Sequence, residues 1–465
     1  MEDAPPASGT EREFDVVVVG AGPGGEVLAG ELGAGKPPLR VALVESELIG
    51  GECSYYACMP SKALLRPAEV LGEAARVPGA AQAFTGSLDV AAALRRRDEV
   101  IHHLDDSGQL PWLAERKVEL FRGHGRLEGE RRVRVGDQRL VARRAVVLAG
   151  GSTATIPPIP GLTEARPWTN REGTGAGEAP ERLAIMGGGP VGVELAQAWR
   201  SLGSEVWLIE VADRLLAREE PFAGELVAEA LRDGGVEVLL GAEAKAVRRE
   251  GAELVLELDS GQAVRTDALL AAAGRAPRTA DLGLETVGLS AEGPVEVTDT
   301  MQVPDRPWLY AIGDINGRVP LTHMAKYHAR LAARAIRGEP DPDGPRLDGG
   351  RAPRVTFTEP QVAAVGLTAA TAEEEGLDVR LVDADTQGTA GASFHGRGAP
   401  GRTRFVIDDR RGVLVGATFV GPDVAEWLQA ATIAVVSEVP LATLAHAVPA
   451  FPTRSEIWLE LTGDA

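Results

Sequence analysis

Cysteine is nearly missing from this chain: 465 residues hold only Cys53 and Cys58. Two cysteines cannot make the disulfide framework of a small secreted scaffold. A structural zinc centre normally takes four ligands, and with seven histidines and no second cysteine pair none is expected; the metal expectation is none. Long apolar runs are missing as well. Stretches such as 268–273 are far too short to span a bilayer. The first residues, MEDAPPASGTEREFD, carry neither a basic segment nor an apolar one, so no secretory leader is expected and the expected compartment is cytoplasmic. Net positive charge is also lacking. A formal charge of −20 repels phosphate backbones and anionic lipid, which sets aside nucleic acid and membrane surfaces as partners.

What is present is ordinary globular composition, 44% hydrophobic and 25% charged, in a chain long enough for roughly two or three domains. The segment EFDVVVVGAGPGGEVLAGELGAGKPPLRVALVES carries the first strong pattern. FDVVVV reads as a buried parallel strand. It runs into Gly20-x-Gly22-x-x-Gly25, a small-residue helix, and a second strand, RVALVE, ending at Glu45. Gly20 permits the tight turn, Gly22 admits a pyrophosphate to backbone N–H groups, and Gly25 lets helix pack on strand. Glu45 is placed to accept hydrogen bonds from ribose hydroxyls.

The pattern recurs in RLAIMGGGPVGVELAQAWRSLGSEVWLIE, with Gly187-x-Gly189-x-x-Gly192 and Glu210 at the end of the second strand. Pro190 suits a first helical turn. Glu210 favours an unphosphorylated adenosine ribose, hence NAD(H), although Arg214 four residues on keeps NADP(H) open. Two such units imply two dinucleotides, and enzymes with both usually pass hydride from nicotinamide to flavin. Strands closing on glycine or acid are expected at 145–151, 267–274 and 308–314. Beyond a linker-like stretch at 341–350, RVTFTEPQVAAVG, RTRFVIDD and GVLVGATFVG read as strands and VAEWLQAATIAVVSEV as an apolar helix.

The cysteines lie in GGECSYYACMPSKALL, just after the first unit. A close pair in a reducing compartment points to redox chemistry or metal. A helix entered through Pro60 would set Cys58 at its N-terminal end, where orphan N–H groups and the dipole favour a thiolate, with Lys62 adding positive charge. Cys53 could reach Cys58 if the intervening backbone coils, as the more exposed sulfur. One sulfur stabilised as a leaving thiolate and another able to attack is what thiol–disulfide exchange requires. The plain alternative is two buried cysteines packed as small hydrophobes.

Taken together these motifs resemble the FAD-dependent pyridine nucleotide–disulfide oxidoreductases, a family that includes dihydrolipoamide dehydrogenases, mercuric reductases and soluble transhydrogenases. The likeness runs from about residue 14 to 460. The family signature G-G-T-C-x-x-x-x-C-x-P-[ST]-K is met by Gly50-Gly51-Glu52-Cys53 and Cys58-Met59-Pro60-Ser61-Lys62. Its flavin-ribitol motif matches Ala311-Ile312-Gly313-Asp314, and its G-R-x-P exit matches Gly274-Arg275-Ala276-Pro277. The resemblance implies an α/β fold with two Rossmann-like dinucleotide-binding domains and a C-terminal α+β dimerisation domain. The implied segments are 1–155 and 277–348 for FAD, 156–276 for NAD(P), and 349–465 for the interface. It implies catalytic roles for Cys53, Cys58, Lys62, Glu194 and Glu456, with Lys62 paired to Glu194 near the flavin. It implies cofactor contacts at Gly20, Gly22, Gly25, Glu45, Gly51, Lys62 and Asp314, and at Gly187, Gly189, Gly192, Glu210 and Gly274. A homodimer follows, since the family completes each site with the partner's C-terminal segment.

Two departures stand out. The family's His-Pro-Thr-x-x-Glu element reads here Phe451-Pro452-Thr453-Arg454-Ser455-Glu456, and phenylalanine cannot carry a proton. His446 lies five residues upstream as a candidate replacement. In the disulfide loop, Tyr55 and Tyr56 replace Asn and Val, either narrowing access to the sulfurs or packing on the flavin side. The chain lacks the C-terminal cysteine pair of mercuric reductases. Three functions are therefore weighed. The first is an NAD(P)H-dependent flavoenzyme cycling Cys53–Cys58 against a small-molecule or protein disulfide or dithiol substrate. The second is a flavin reductase directed at quinones or nicotinamides without dithiol chemistry. The third is a non-catalytic flavin-binding dimeric scaffold.

Overall fold

The computed structural model describes residues 11–83, 86–346, 348–396, 398–399 and 401–463, so most of the polar N-terminal stretch lies outside the described residues. The chain divides into two compact units, one of residues 1–58, 101–153 and 275–349, the other of 59–100, 154–274 and 350–465.

In the first unit, strand Glu11–Val19 lies at the centre of a sheet ordered Val118–Arg122, Val41–Glu45, Glu11–Val19, Gln138–Leu148, Arg132–Val135, Gly125–Leu127, with Leu309–Ala311 beside Gln138–Leu148. Val17 pairs in parallel with Ala42 on one side and Val146 on the other. The run Val16–Val19 is buried on both faces, which is why it reads as continuous apolar residues rather than an alternation. Helix Pro23–Ala34 follows the central strand, and helix Thr322–Arg337 approaches it closely. A Cβ on Gly24 would lie 3.2 Å from the carbonyl oxygen of Ala325.

The second unit repeats this logic. Strands Glu237–Leu240, Glu205–Glu210, Arg182–Met186 and Ala268–Ala271 form a parallel sheet in that order. Helix Pro190–Ser201 leaves the Arg182–Met186 strand, and buried Trp199 anchors it. The interface segment forms a five-stranded antiparallel sheet ordered 354–356, 361–366, 413–421, 402–408, 379–384. The fold is thus α/β, with two Rossmann-like parallel cores and a C-terminal antiparallel sheet. Among the described residues no helix is long and apolar enough to cross a membrane.

Several boundaries differ from the sequence reading. The helix expected to begin at Pro60 begins at Cys58 and runs to Arg76, because proline fits any position of the first turn. The 308–314 strand stops at Ala311, and Asp314 sits in the 3-10 turn Gly313–Asn316. The helix expected over 424–439 is a 3-10 turn, Val424–Trp427, followed by an α-helix only over Leu428–Val436.

Candidate functional site

Both glycine motifs form the same turn. Gly20 has φ +106° and Gly187 φ +113°, a region that L side chains rarely adopt, and a Cβ at either would strike the carbonyl of Ala149 or Ala272. A Cβ on Gly25 or Gly192 would collide with the carbonyl oxygen of Gly20 or Gly187 at under 2 Å. In contrast, nothing lies within 4 Å of a Cβ built on Gly22 or Gly189, each the residue just before a helix that starts with proline. The space in front of each helix N-terminus suits the pyrophosphate of a dinucleotide.

The two acids are held alike. Glu45 Oε2 accepts from the Ala21 N–H at 2.7 Å and Oε1 from Glu47 at 2.7 Å. Glu210 Oε2 accepts from Gly188, and Oε1 from Ala212 at 2.7 Å. Each carboxylate is thereby fixed beside its own glycine turn. Arg214, considered for a 2′-phosphate, donates to the Ala217 carbonyl at 2.8 Å. These features fit FAD and a nicotinamide dinucleotide: two open helix ends, each with an acid fixed at the end of the following strand.

Gly50 and Gly51 carry the cysteine loop against the first turn. The Gly50 N–H donates to the Ala21 carbonyl at 2.8 Å, and a Cβ on Gly51 would stand 2.8 Å from Gly22 Cα. Cys53 lies in the short helix Gly51–Tyr55 and Cys58 is the first residue of the long helix, both half-buried thiols. Their side chains are hydrogen-bonded, and this bond, then burial, pushes the Cys53 thiol up while Thr322 and Lys326 oppose the shift. Cys53 therefore keeps the pair's proton and the sulfur at the helix end, Cys58, accepts it. Thr322 Oγ1 lies 3.5 Å from Cys58 Sγ. Nearby on helix Pro23–Ala34, burial pushes the Glu26 carboxyl up to about 7, against the pull of Lys326. Tyr55 is buried, with its ring edge beside Gly50.

Asp314 accepts from Ser152 Oγ at 2.5 Å. Ser152 Oγ in turn accepts from Arg275 Nε at 2.7 Å. In the second unit, Lys62 Nζ lies 2.7 Å from Glu194 Oε2 and 4.7 Å from the Phe357 ring centre. Glu194 is only 4% exposed, and its other oxygen accepts from the Phe357 N–H at 2.9 Å. Gly274 has φ +132° and gives its carbonyl to Thr155 N–H. In the C-terminal segment, Glu456 Oε2 accepts from Gly391 N–H at 3.4 Å. Phe451 is 77% exposed and His446 is exposed too, in the turn after helix Leu441–Leu444. Away from these groups, Glu73, His395 and Asp423 could bring three ligand atoms within 4.8 Å of one another, although Arg454 stands 3.6 Å from the same Asp423 carboxylate.

Sequence reasoning missed Thr322, Ser152 and the partners of Glu52. Only Glu52 left a trace, as a charged residue where the matched signature has threonine.

Residues 14–329 match the family described as pyridine nucleotide-disulphide oxidoreductase, and 352–462 match its dimerisation domain. The dihydrolipoyl dehydrogenase of Chlorobaculum tepidum is 33% identical over 467 residues, covering 97% of this chain and 97% of its own. The mercuric reductase of Acidithiobacillus ferrooxidans is 33% identical over 458 residues, covering 96% of this chain and 81% of its own. Among solved structures, the HOCl-induced flavoprotein disulfide reductase RclA of Escherichia coli overlays with a TM-score of 0.84 at 24% identity, covering 97% and 99% of the two chains.

Proposed function

Because the chain belongs to the pyridine nucleotide-disulphide oxidoreductase family, enzymes that use FAD and NAD(P)H and act on sulfur groups, we propose that Cys53 and Cys58 are its redox pair and that a disulfide or dithiol compound is its substrate. The observation that carries this reading is the bonded thiol pair itself, with Cys58 at a helix N-terminus and Cys53 holding the proton. FAD, when bound, relays hydride equivalents between the nicotinamide and the sulfurs. The segments 1–155 and 277–348 are assigned to FAD, 156–276 to the nicotinamide dinucleotide and 349–465 to the dimer interface.

The chain's own residues divide the work. Gly20, Gly22, Gly25 and Gly51 admit the FAD pyrophosphate, and Glu45 and Asp314 hold its hydroxyl-bearing parts. Gly187, Gly189, Gly192 and Gly274 form the second cradle, where the Glu210 carboxylate selects NADH by repelling a 2′-phosphate. Lys62, fixed by Glu194, presents a cation without moving. In reduction, Cys53 first gives its proton to water; its thiolate then attacks a substrate sulfur, the substrate S–S bond breaks, and the departing thiolate takes a proton back. Cys58 then attacks Cys53, releasing the second thiolate and closing the Cys53–Cys58 disulfide. The Glu456 carboxylate would stand on the partner's side of this exchange in a homodimer.

A second reading, an acceptor of quinone type, is favoured by Phe451, which offers no proton where sulfur chemistry asks for one. Cys58→Ser separates the two. Disulfide turnover should vanish while quinone reduction survives. A wild type inert towards every disulfide, with the Ser variant reducing quinones at full rate, would overturn the first reading.

A further inference from the structure

Glu52 precedes Cys53 and stands where the family signature carries threonine. Its Oε2 accepts from Arg275 Nη2 at 2.9 Å and its Oε1 from Arg278 Nη2 at 3.1 Å. Arg275 also grips Ser152 twice, Nε on the hydroxyl at 2.7 Å and Nη2 on the carbonyl at 2.9 Å. Arginine is a donor only, so the Ser152 hydroxyl receives from Arg275 and must spend its single proton on Asp314, 2.5 Å away. The result is a connected set of hydrogen bonds from the redox loop to Asp314, with Arg275 donating both to Glu52 and to Ser152 and Ser152 donating to Asp314. Glu52 also places a negative charge between two guanidinium groups that would otherwise compete for nearby acceptors.

We propose that Glu52 is a positioning residue for FAD: through Arg275 and Ser152 it orients Asp314, so that the loop bearing Cys53 and the grip on the flavin's ribityl chain are set together. The inference rests on the reading of Asp314 as a flavin-binding acid. Ser152 bonds to Asp314 Oδ2, and among the described residues nothing bonds to Oδ1, which is left for a ligand hydroxyl. Threonine at position 52 could reach neither arginine with a charge. This chain therefore ties its flavin cradle to its redox loop electrostatically, by a link that the family signature does not contain.

The test measures FAD dissociation from purified holoenzyme, by flavin fluorescence on dilution, for Glu52→Gln, Ser152→Ala and the double variant. Each single variant should release FAD about tenfold more readily, the scale of one lost charge-assisted hydrogen bond. The double should be no worse than the weaker-binding single, because both act on one chain of bonds. The flavin absorption envelope should shift in Glu52→Gln and return in Glu52→Asp, which a generally loosened fold would not produce. Should Glu52→Gln fail to fold, Glu52→Thr asks the same question. Wild-type FAD retention in the variants, or losses that multiply in the double, would overturn the proposal. Loss of the disulfide reading through Cys58→Ser leaves FAD binding untouched, so the two ideas fail separately.

Discussion

Replacing Lys62 by methionine removes the ammonium from a carboxylate that has almost no water. Glu194 is 4% exposed, and its remaining partners would be the Phe357 N–H at 2.9 Å and the Ser61 hydroxyl at 3.5 Å. Breaking a buried pair from one side costs about 3–5 kcal/mol, because the other charge stays behind. The Lys62 side chain is 34% exposed, so screening lowers the expected cost to about 2–3 kcal/mol. Glu194→Gln keeps the shape and removes the stranded charge, so Lys62→Met with Glu194→Gln should recover most of the loss. The assay is urea unfolding followed by tryptophan fluorescence. Trp199 lies on the helix that carries Glu194, is fully buried, and has its ring 6.3 Å from that of Trp168, so it is one of the seven tryptophans whose emission changes as this helix unfolds. A single variant within 0.5 kcal/mol of wild type (about the error of such cycles), or a double no better than the single, would refute the claim that a desolvated charge is what Lys62 compensates.

Glu359 gives a pH test. Burial pushes its carboxyl up to about 7, and the Arg76 guanidinium at 3.0 Å opposes that shift without cancelling it. A raised carboxyl contributes stability that is whole below its ordinary 4.5 and is lost as pH climbs through 7. Glu359→Gln should therefore gain on wild type between pH 5 and pH 8, by up to about 3 kcal/mol at roughly 1.4 kcal/mol per pH unit. Equal urea midpoint differences at the two pH values would sink the argument. Separately, Phe451→His should raise the rate of dihydrolipoamide oxidation by restoring a titratable group at that position. An unchanged steady-state rate would show that the missing base does not limit turnover.

The fold was legible because its key residues have no substitutes. Gly20 and Gly187 sit at φ values closed to other residues, and Gly25 and Gly192 leave no room for a Cβ, so strand, glycine triplet and acid could be read directly. Glu45, Glu210 and the Lys62–Glu194 pair were legible for the same reason: each occupies a fixed place in a matched motif. The bonds between Glu52, Arg275, Ser152 and Asp314 were not. They join positions up to 226 residues apart if Arg278 is included, and no periodicity or local propensity records such distances. Thr322 beside Cys58 was hidden likewise, 264 positions away. Tyr55 left two readings open in the sequence. Its burial beside Gly50 is a fact of tertiary contact that no local pattern contains.

The proton on the sulfur pair narrows what the missing imidazole can mean. Cys53 keeps its proton because its neighbour accepts it and burial disfavours a charge there. Exchange at Cys53 therefore begins with a deprotonation, and the first leaving thiolate needs a proton back. An imidazole could do both near neutral pH; the phenylalanine ring at 451 can do neither. The remaining carriers are water, the exposed His446, a substrate with its own acidic thiol, or Glu26, whose carboxyl is pushed up to about 7 and which, like Cys53, feels the charge of Lys326. A substrate bringing an acidic thiol would lose least from the change of histidine to phenylalanine, and one with a basic thiol would lose most. The departure at Phe451 thus acts on the substrate's thiol acidity before it acts on the redox pair itself.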